Sequence, residues 1–366
     1  MLQRTRVLMK PMVLTAMLTS PPVFVGAGAG TWSPIAEDPT GLGPYAVASQ
    51  EYHLPAAVDE LVLEDRFVEY WAVVWAPTNA PADERLPLTV FLHGNHATCG
   101  TGSNPRRDTN SCDRVYSCSA RLRASFSCIV PLVASSPHGT FVLSARRQYT
   151  MTGTCPEGFV VVPQHRGYDY IGERLASHGY IVVSLNANRG INSGAGVDGD
   201  ARLIKARGAL ILGHLALLAD WERGGDSPLD EPLPFIDWSR TGLFGHSRGG
   251  EAARAVLEFI DFPEQWGTQP LLDRLGEVAN SIAVQAILEV GAVDYNGRET
   301  NLDEPTFDAD GVAWVAVVPT CDGDVSHLAG VRPADRLLYA GSDTSAFSAT
   351  VFAWGTNHNF YSTEWQ

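Results

Sequence analysis

Beyond its first thirty residues the chain has no apolar run approaching the ~18 residues that a membrane-spanning helix needs, so it does not read as a helical membrane protein. Positive charge is also scarce. Lys and Arg number 26 against 41 Asp and Glu, a net charge of −15, and no basic stripe interrupts the acidic background. That balance disfavours nucleic acid and anionic membrane surfaces as partners. No Cys-x-x-Cys pair occurs, and the cysteine spacing with His96 or His138 fits no zinc pattern. No twelve-residue EF-hand loop is present either, so the acidic stretch 294–310, like Asp198 and Asp200, reads as solvated loop rather than calcium site. Internal repeats are lacking. What remains is 366 residues, 45% hydrophobic and 18% charged, which suits one globular core and excludes wholesale disorder.

The first thirty residues differ from the rest. Arg4, Arg6 and Lys10 precede a mostly apolar run from Met12 to Val25, and Ala27-Gly28-Ala29 offers small residues for cleavage. These are the three regions of a secretory signal, so residues 1–30 are expected to be removed and the remainder to be secreted or periplasmic. Six cysteines, at 99, 112, 118, 128, 155 and 321, suit an exported protein and favour disulfides over metal binding. Five of them fall within 99–155, where no sustained period is visible. That window is expected to be an irregular, disulfide-stapled excursion, with Cys99 joined to Cys155.

The rest alternates between two periods. Residues 67–76, 88–92, 180–185, 281–290, 312–318 and 349–354 are short apolar or β-branched runs and predict strands. Residues 167–178 and 201–223 carry apolar side chains at helical spacing, and 334–338 predicts a short helix. Residues 31–60, rich in Pro, Gly and Ala, read as an extended lead-in. Crossovers of ten or more residues between strands predict a mostly parallel twisted sheet with helices on both faces, in one α/β domain over 31–366.

Chemistry centres on Gly245-His246-Ser247-Arg248-Gly249. A strand-like run enters this pentapeptide and a helix-like run, 251–260, leaves it, the context in which Gly-x-Ser-x-Gly forms a nucleophile elbow. Side chains at Gly245 and Gly249 would collide with neighbouring elements, and the sharp turn exposes the Ser247 hydroxyl. A neutral hydroxyl is a poor nucleophile and needs a base within hydrogen-bond reach. In such sheets the reactive loops follow the carboxyl ends of the strands. After 312–318 stand Asp322 and Asp324; after 349–354 stands His358; after 88–92 stand His93, Gly94 and Asn95. His358 is the candidate base. Asp322, nearer its strand, is the preferred acid, with Asp324 as the alternative. Backbone N–H groups of Asn95 and Arg248 are the candidate oxyanion donors. The Arg248 side chain is expected in an ion pair, with Glu251 or the acidic loop. His246 reads as a packing residue, and His327 lies too close to the acid to serve with it. Trp266, Trp314, Trp354 and Tyr361 are candidates for an acyl pocket, with core packing as their ordinary fate.

The motifs LHGNH (92–96), GYDYIGERLASHGYIVVSLNAN (167–188), GHSRGG (245–250), CDGDV (321–325) and GTNHNFYSTEW (355–365) together resemble the α/β-hydrolase superfamily. Within it the chain is similar to the secreted bacterial serine esterase and lipase branch, with chlorophyllases, platelet-activating-factor acetylhydrolases and cutinase-like polyester hydrolases. The spacing from Asp322 to Val325 resembles that family's acid loop. The resemblance implies carboxylic-ester hydrolysis through an acyl-enzyme, with no cofactor, on a small-molecule, lipid or polyester substrate. Amide hydrolysis on the same triad, or a non-catalytic binding protein keeping the fold, are the alternatives. Ser247 in place of Cys argues against a dienelactone hydrolase itself. Two departures stand out: the long 99–155 excursion, and only eight residues after His358, where such folds often place a closing helix.

Overall fold

The computed structural model describes residues 41–101, 137–200, 202–295, 306–339 and 347–365. The expected signal at 1–30, Cys112, Cys118 and Cys128, and most of the 294–310 stretch lie outside the described residues.

Eight strands form one sheet: β1 (Val47–His53), β2 (Trp71–Pro77), β3 (Leu86–Leu92), β4 (Ile181–Asn186), β5 (Ile236–His246), β6 (Val284–Val290), β7 (Ala313–Pro319) and β8 (Ser348–Ala353). Their spatial order is β1-β2-β4-β3-β5-β6-β7-β8. Only β2 runs antiparallel to its neighbours; every other pairing is parallel. This order, with a single reversed strand near one edge, is the α/β-hydrolase fold.

Period-two alternation decides which residues face which layer. In β2, Ala72 and Val74 join the larger core, while Val73 and Trp75 join the smaller one. In β3, Val90 and Leu92 belong to the larger core and Phe91 to the smaller. Helix α3 (Ile204–Glu222) supplies much of the large core, including Leu210, Ile211 and Leu215, and packs beside α4 (Arg248–Asp261). Helix α2 (Asp169–Ser177) covers the opposite face through Ile171, Leu175 and Ala176. Helices therefore lie on both faces, as the alternation of periods implied.

Two segments differ from the sequence reading. The lead-in is not merely extended, because Val47–His53 pairs in register with β2 as the sheet's edge strand. Its run of mostly exposed polar side chains hid it. The 99–155 excursion is not wholly irregular either: Pro137–Thr152 forms helix α1, and Cys99 is bonded to Cys155 as expected. Among the described residues no helix is long and apolar enough to cross a membrane.

His214 on α3 is wholly buried, hydrogen-bonded to the Tyr52 hydroxyl at 2.6 Å, and burial lowers its pKa from 6.5 to about 3. A base depressed in the folded state lends stability that is complete above its unfolded pKa and lost as pH falls toward the folded one. Buried His93 and His246 are shifted the same way, also chiefly by burial. The melting temperature is therefore expected to decline steadily as pH drops from about 6.5 toward 3. A flat profile from pH 7 to 4 would refute it.

Candidate active site

Strand β5 ends at His246, and α4 begins at Arg248, leaving Ser247 alone at the turn. Its backbone sits at φ 58°, ψ −120°, a strained conformation for a residue with a side chain. The neighbouring glycines permit this. A Cβ at Gly245 would strike the Gly249 carbonyl, and one at Gly249 would strike the Leu92 carbonyl. Ser247 N–H donates to the Val290 carbonyl at 2.9 Å, tying the turn to the end of β6.

His358 and Asp322 arrive from the loops after β8 and β7. His358 Nδ1 lies 2.8 Å from Asp322 Oδ2, with both side chains 1% exposed. The other oxygen, Asp322 Oδ1, accepts the backbone N–H groups of Asp324 at 2.8 Å and Val325 at 2.6 Å. Both oxygens of the carboxylate are thus engaged, and its orientation is fixed. A bond from Cys321 N–H to the Thr356 carbonyl, 2.9 Å, ties the two loops together. Asp324 is placed differently. Its side chain is 59% exposed, with Oδ2 3.8 Å from His358 Nε2. That nitrogen makes no hydrogen bond to a described residue.

His246 earned only a packing role from the sequence, yet it joins the elbow to the histidine loop. Its Nε2 lies 2.9 Å from the His358 carbonyl, which can only accept, so Nε2 carries the proton. Nδ1 then accepts from the Tyr168 hydroxyl at 3.0 Å. Burial, reinforced by the charge of His358, holds its pKa well below the usual value and keeps it a neutral brace.

The loop after β3 faces the elbow. A Cβ at Gly94 would lie 2.5 Å from Ser247 Cβ and 2.9 Å from the Trp365 ring, so glycine there serves close approach of the elbow. The loop is held in part by groups the sequence did not single out, Asn192 foremost. His93 Nε2 accepts the Ala187 N–H at 2.9 Å, which leaves Nδ1 to donate to the Gly94 carbonyl at 2.7 Å. Asn192 Oδ1 accepts the His96 N–H at 3.0 Å, and its amide donates to the His96 carbonyl at 3.1 Å. Asn95 Oδ1 accepts from Ser193 N–H at 2.7 Å and from Arg248 Nη1 at 3.0 Å. The Arg248 side chain thus meets Asn95 rather than the expected Glu251, which accepts the Tyr295 N–H at 2.9 Å, and most of the acidic loop, the other expected partner, lies outside the described residues. The Arg248 N–H opens α4, in the first turn, where no intrahelical acceptor exists.

Trp365 is the other group missed. It is wholly buried, stacked on His96 at 4.9 Å between ring centroids, 4.4 Å from His246 and 6.1 Å from His358. Its indole N–H bonds Gln164 Oε1, and Thr363 N–H bonds the Gly167 carbonyl, so 358–365 fold back on the segment before α2. Trp365→Ala is expected to cost about 3–5 kcal/mol in a urea titration and to lower kcat about tenfold or more by freeing the histidine and the Gly94 loop. Trp365→Phe should recover most of both. Equal kcat in all three proteins would remove Trp365 from the site.

Gly291, just beyond β6, has φ 51°, and a Cβ there would sit 3.0 Å from His358 Nδ1 and 3.3 Å from Asp322 Oδ2. Gly291→Ala is expected to lose about 1–3 kcal/mol of stability through backbone strain and about 10²-fold in kcat by displacing the pair. Wild-type kcat in a folded Gly291→Ala protein would contradict it.

The aromatic candidates divide. Trp314 is core, Trp266 packs at the core's margin, Tyr361 lies 6.3 Å from His246, and Trp354 is 85% exposed. His327 is exposed. Among the described residues no group of three or more His, Cys, Asp or Glu side chains is placed to hold a metal ion.

No family model and no curated protein matches this chain. Among solved structures it is similar to a protein assigned as a dienelactone hydrolase from Klebsiella pneumoniae, at 13% identity over 88% of this chain and 92% of that one, TM-score 0.41. It is also similar to esterase 2 of Thermogutta terrifontis in its apo form, at 12% identity over 84% and 86%, TM-score 0.42. Likeness this slight says nothing of substrate, and the chemistry is read from the site's own residues.

Proposed function

We propose that the chain is a serine hydrolase that cleaves carboxylic esters through an acyl-enzyme, with Ser247 as nucleophile, His358 as general base and acid, and Asp322 as the orienting carboxylate. The observation that carries this is the buried Nδ1–Oδ2 contact of 2.8 Å between His358 and Asp322, beside a serine held at φ 58°.

With Nδ1 donating to Asp322, the neutral imidazole presents a lone pair at Nε2. Nε2 takes the Ser247 proton as Oγ attacks the ester carbonyl, and the Asp322 charge stabilises the imidazolium. The oxyanion of the tetrahedral intermediate is held by the N–H groups of Asn95 and Arg248, the second at the positive end of α4. Collapse breaks the ester C–O bond as Nε2 returns its proton to the departing alkoxide. Water then enters, deprotonated by the same nitrogen, and repeats the sequence to release the acid. No step calls on a cofactor. Small-molecule, lipid and polyester esters all satisfy this chemistry. Removal of residues 1–30 would deliver the enzyme outside the cytoplasm, the setting that a Cys99–Cys155 disulfide favours.

Two measurements on the purified chain test the proposal together. A fluorophosphonate probe is expected to label Ser247, located by peptide mapping, and p-nitrophenyl butyrate is expected to turn over. A folded protein that neither reacts with the probe nor hydrolyses the ester is not this enzyme.

A further inference from the structure

The sheet has two edges, finished in different ways. β1 carries Glu51, paired with Arg166, a charge of the kind that keeps an edge from joining another chain. β8 is the opposite edge, and no described residue pairs with its far side. Its register with β7 is unbroken by any bulge. Residues 344–363 contain no Asp, Glu, Lys, Arg or Pro, in a chain whose net charge is −15. The usual devices that blunt an edge are therefore missing from β8.

Apolar side chains gather at the same edge. Leu338, Phe347, Phe352 and Trp354 are each exposed by 57% or more, and Val351 by 48%. Leu338 lies on the helix Arg332–Tyr339, which packs beside β8. Together these five side chains offer roughly 600 Å², against the ~800 Å² that each partner buries in a standard interface, and the strand's own backbone adds to them. Which backbone groups are on offer follows from β7. Trp314 N–H donates to the Phe347 carbonyl at 2.8 Å and Thr320 N–H to the Ala353 carbonyl at 3.2 Å, so the odd-numbered residues turn their groups inward. Ser348, Thr350 and Phe352 turn theirs outward.

A strand that meets its own copy across a two-fold axis in one sheet runs antiparallel to it, and antiparallel neighbours exchange N–H and C=O in pairs. Charge favours this edge as well. Two copies that each carry −15 repel one another, and an uncharged edge lets them approach at the least cost. We propose that two copies of the chain join edge to edge through β8, making one sheet continuous across both. With the axis at Thr350, Ser348 faces Phe352 of the second copy, and every outward residue of the strand is bonded.

Sedimentation equilibrium of the purified chain from about 1 to 100 µM tests this, since a dimer's population follows concentration. Wild type is expected at twice the mass of one chain, and 0.5 M NaCl should leave the dimer intact by screening the like charges. Val351→Asp adds a charge at an exposed edge position, and Thr350→Pro removes an outward N–H that one copy alone does not use. Each should raise the dissociation constant about 10²-fold or more, with folding verified by circular dichroism. Should one variant fail to fold, the other decides. A wild type of single mass at 100 µM overturns the inference. Binding to phosphatidylcholine vesicles would then assign the edge to a lipid surface, and slow amide exchange at 348, 350 and 352 would assign it to another segment of the same chain. A dimer that the folded variants leave intact also overturns it, placing the interface elsewhere. Mass, not turnover, is the readout, so the outcome stands apart from the hydrolase reading.

Discussion

Ser247→Ala is expected to lower kcat on p-nitrophenyl butyrate by about 10⁵–10⁶-fold while leaving KM and the melting temperature nearly unchanged. The size follows from what is deleted. Without Oγ no acyl-enzyme can form, and water must attack an ester held only by the oxyanion donors, which by themselves sustain about 10³–10⁴-fold over the uncatalysed rate. Stability should hold because Ser247 is placed by its backbone, through bonds of its N–H to Val290 and its carbonyl to Gly250 and Val293. The alanine inherits the same φ of 58° and the same strain, so a folded but inactive protein is the outcome that separates chemistry from architecture. Equal rates in the two proteins would mean that another group attacks the ester.

The elbow was legible because its requirements are local. Three glycine or serine positions, a strand before and a helix after all lie within a score of residues, and the collisions foreseen at Gly245 and Gly249 are those the backbone makes. His358 and Asp322 were legible by a topological rule, since the loops after β7 and β8 must lie at the same end of a parallel sheet as the elbow. Asn192 and Trp365 were not. Each acts through partners far away in sequence, and nothing in a polar or aromatic residue announces whom it meets. Gly291 stood closer to discovery, because it follows a recognised strand at the reactive end, where a glycine signals close approach. Of the two partners expected for Arg248, Glu251, one helical turn on, was the sequence-local one, but the helix start aims the side chain at Asn95 instead.

Asp322→Asn is expected to lower kcat about 10⁴-fold, and Asp324→Asn to change it less than about fivefold. The difference comes from which atoms are already engaged. Asp322 Oδ1 accepts two backbone N–H groups, from Asp324 and Val325. An asparagine in that place must keep its amide oxygen on those donors, because an NH₂ group facing them would set donor against donor. The amide nitrogen is then turned toward His358 Nδ1, 2.8 Å away in the wild type, and Nδ1 must accept. Its proton moves to Nε2, the nitrogen that has to take the proton from Ser247, and the base is blocked by the wrong tautomer rather than merely weakened. Raising the pH offers no rescue, since the neutral ring keeps that tautomer until hydroxide itself attacks. At position 324 no such lock exists: the carboxylate is 59% exposed, is 3.8 Å from Nε2 and has no share in holding Nδ1. A rate profile against pH for both variants would decide the acid. A large loss at 324 with little at 322 would transfer the role to Asp324 and require the histidine ring to be turned over in the working enzyme.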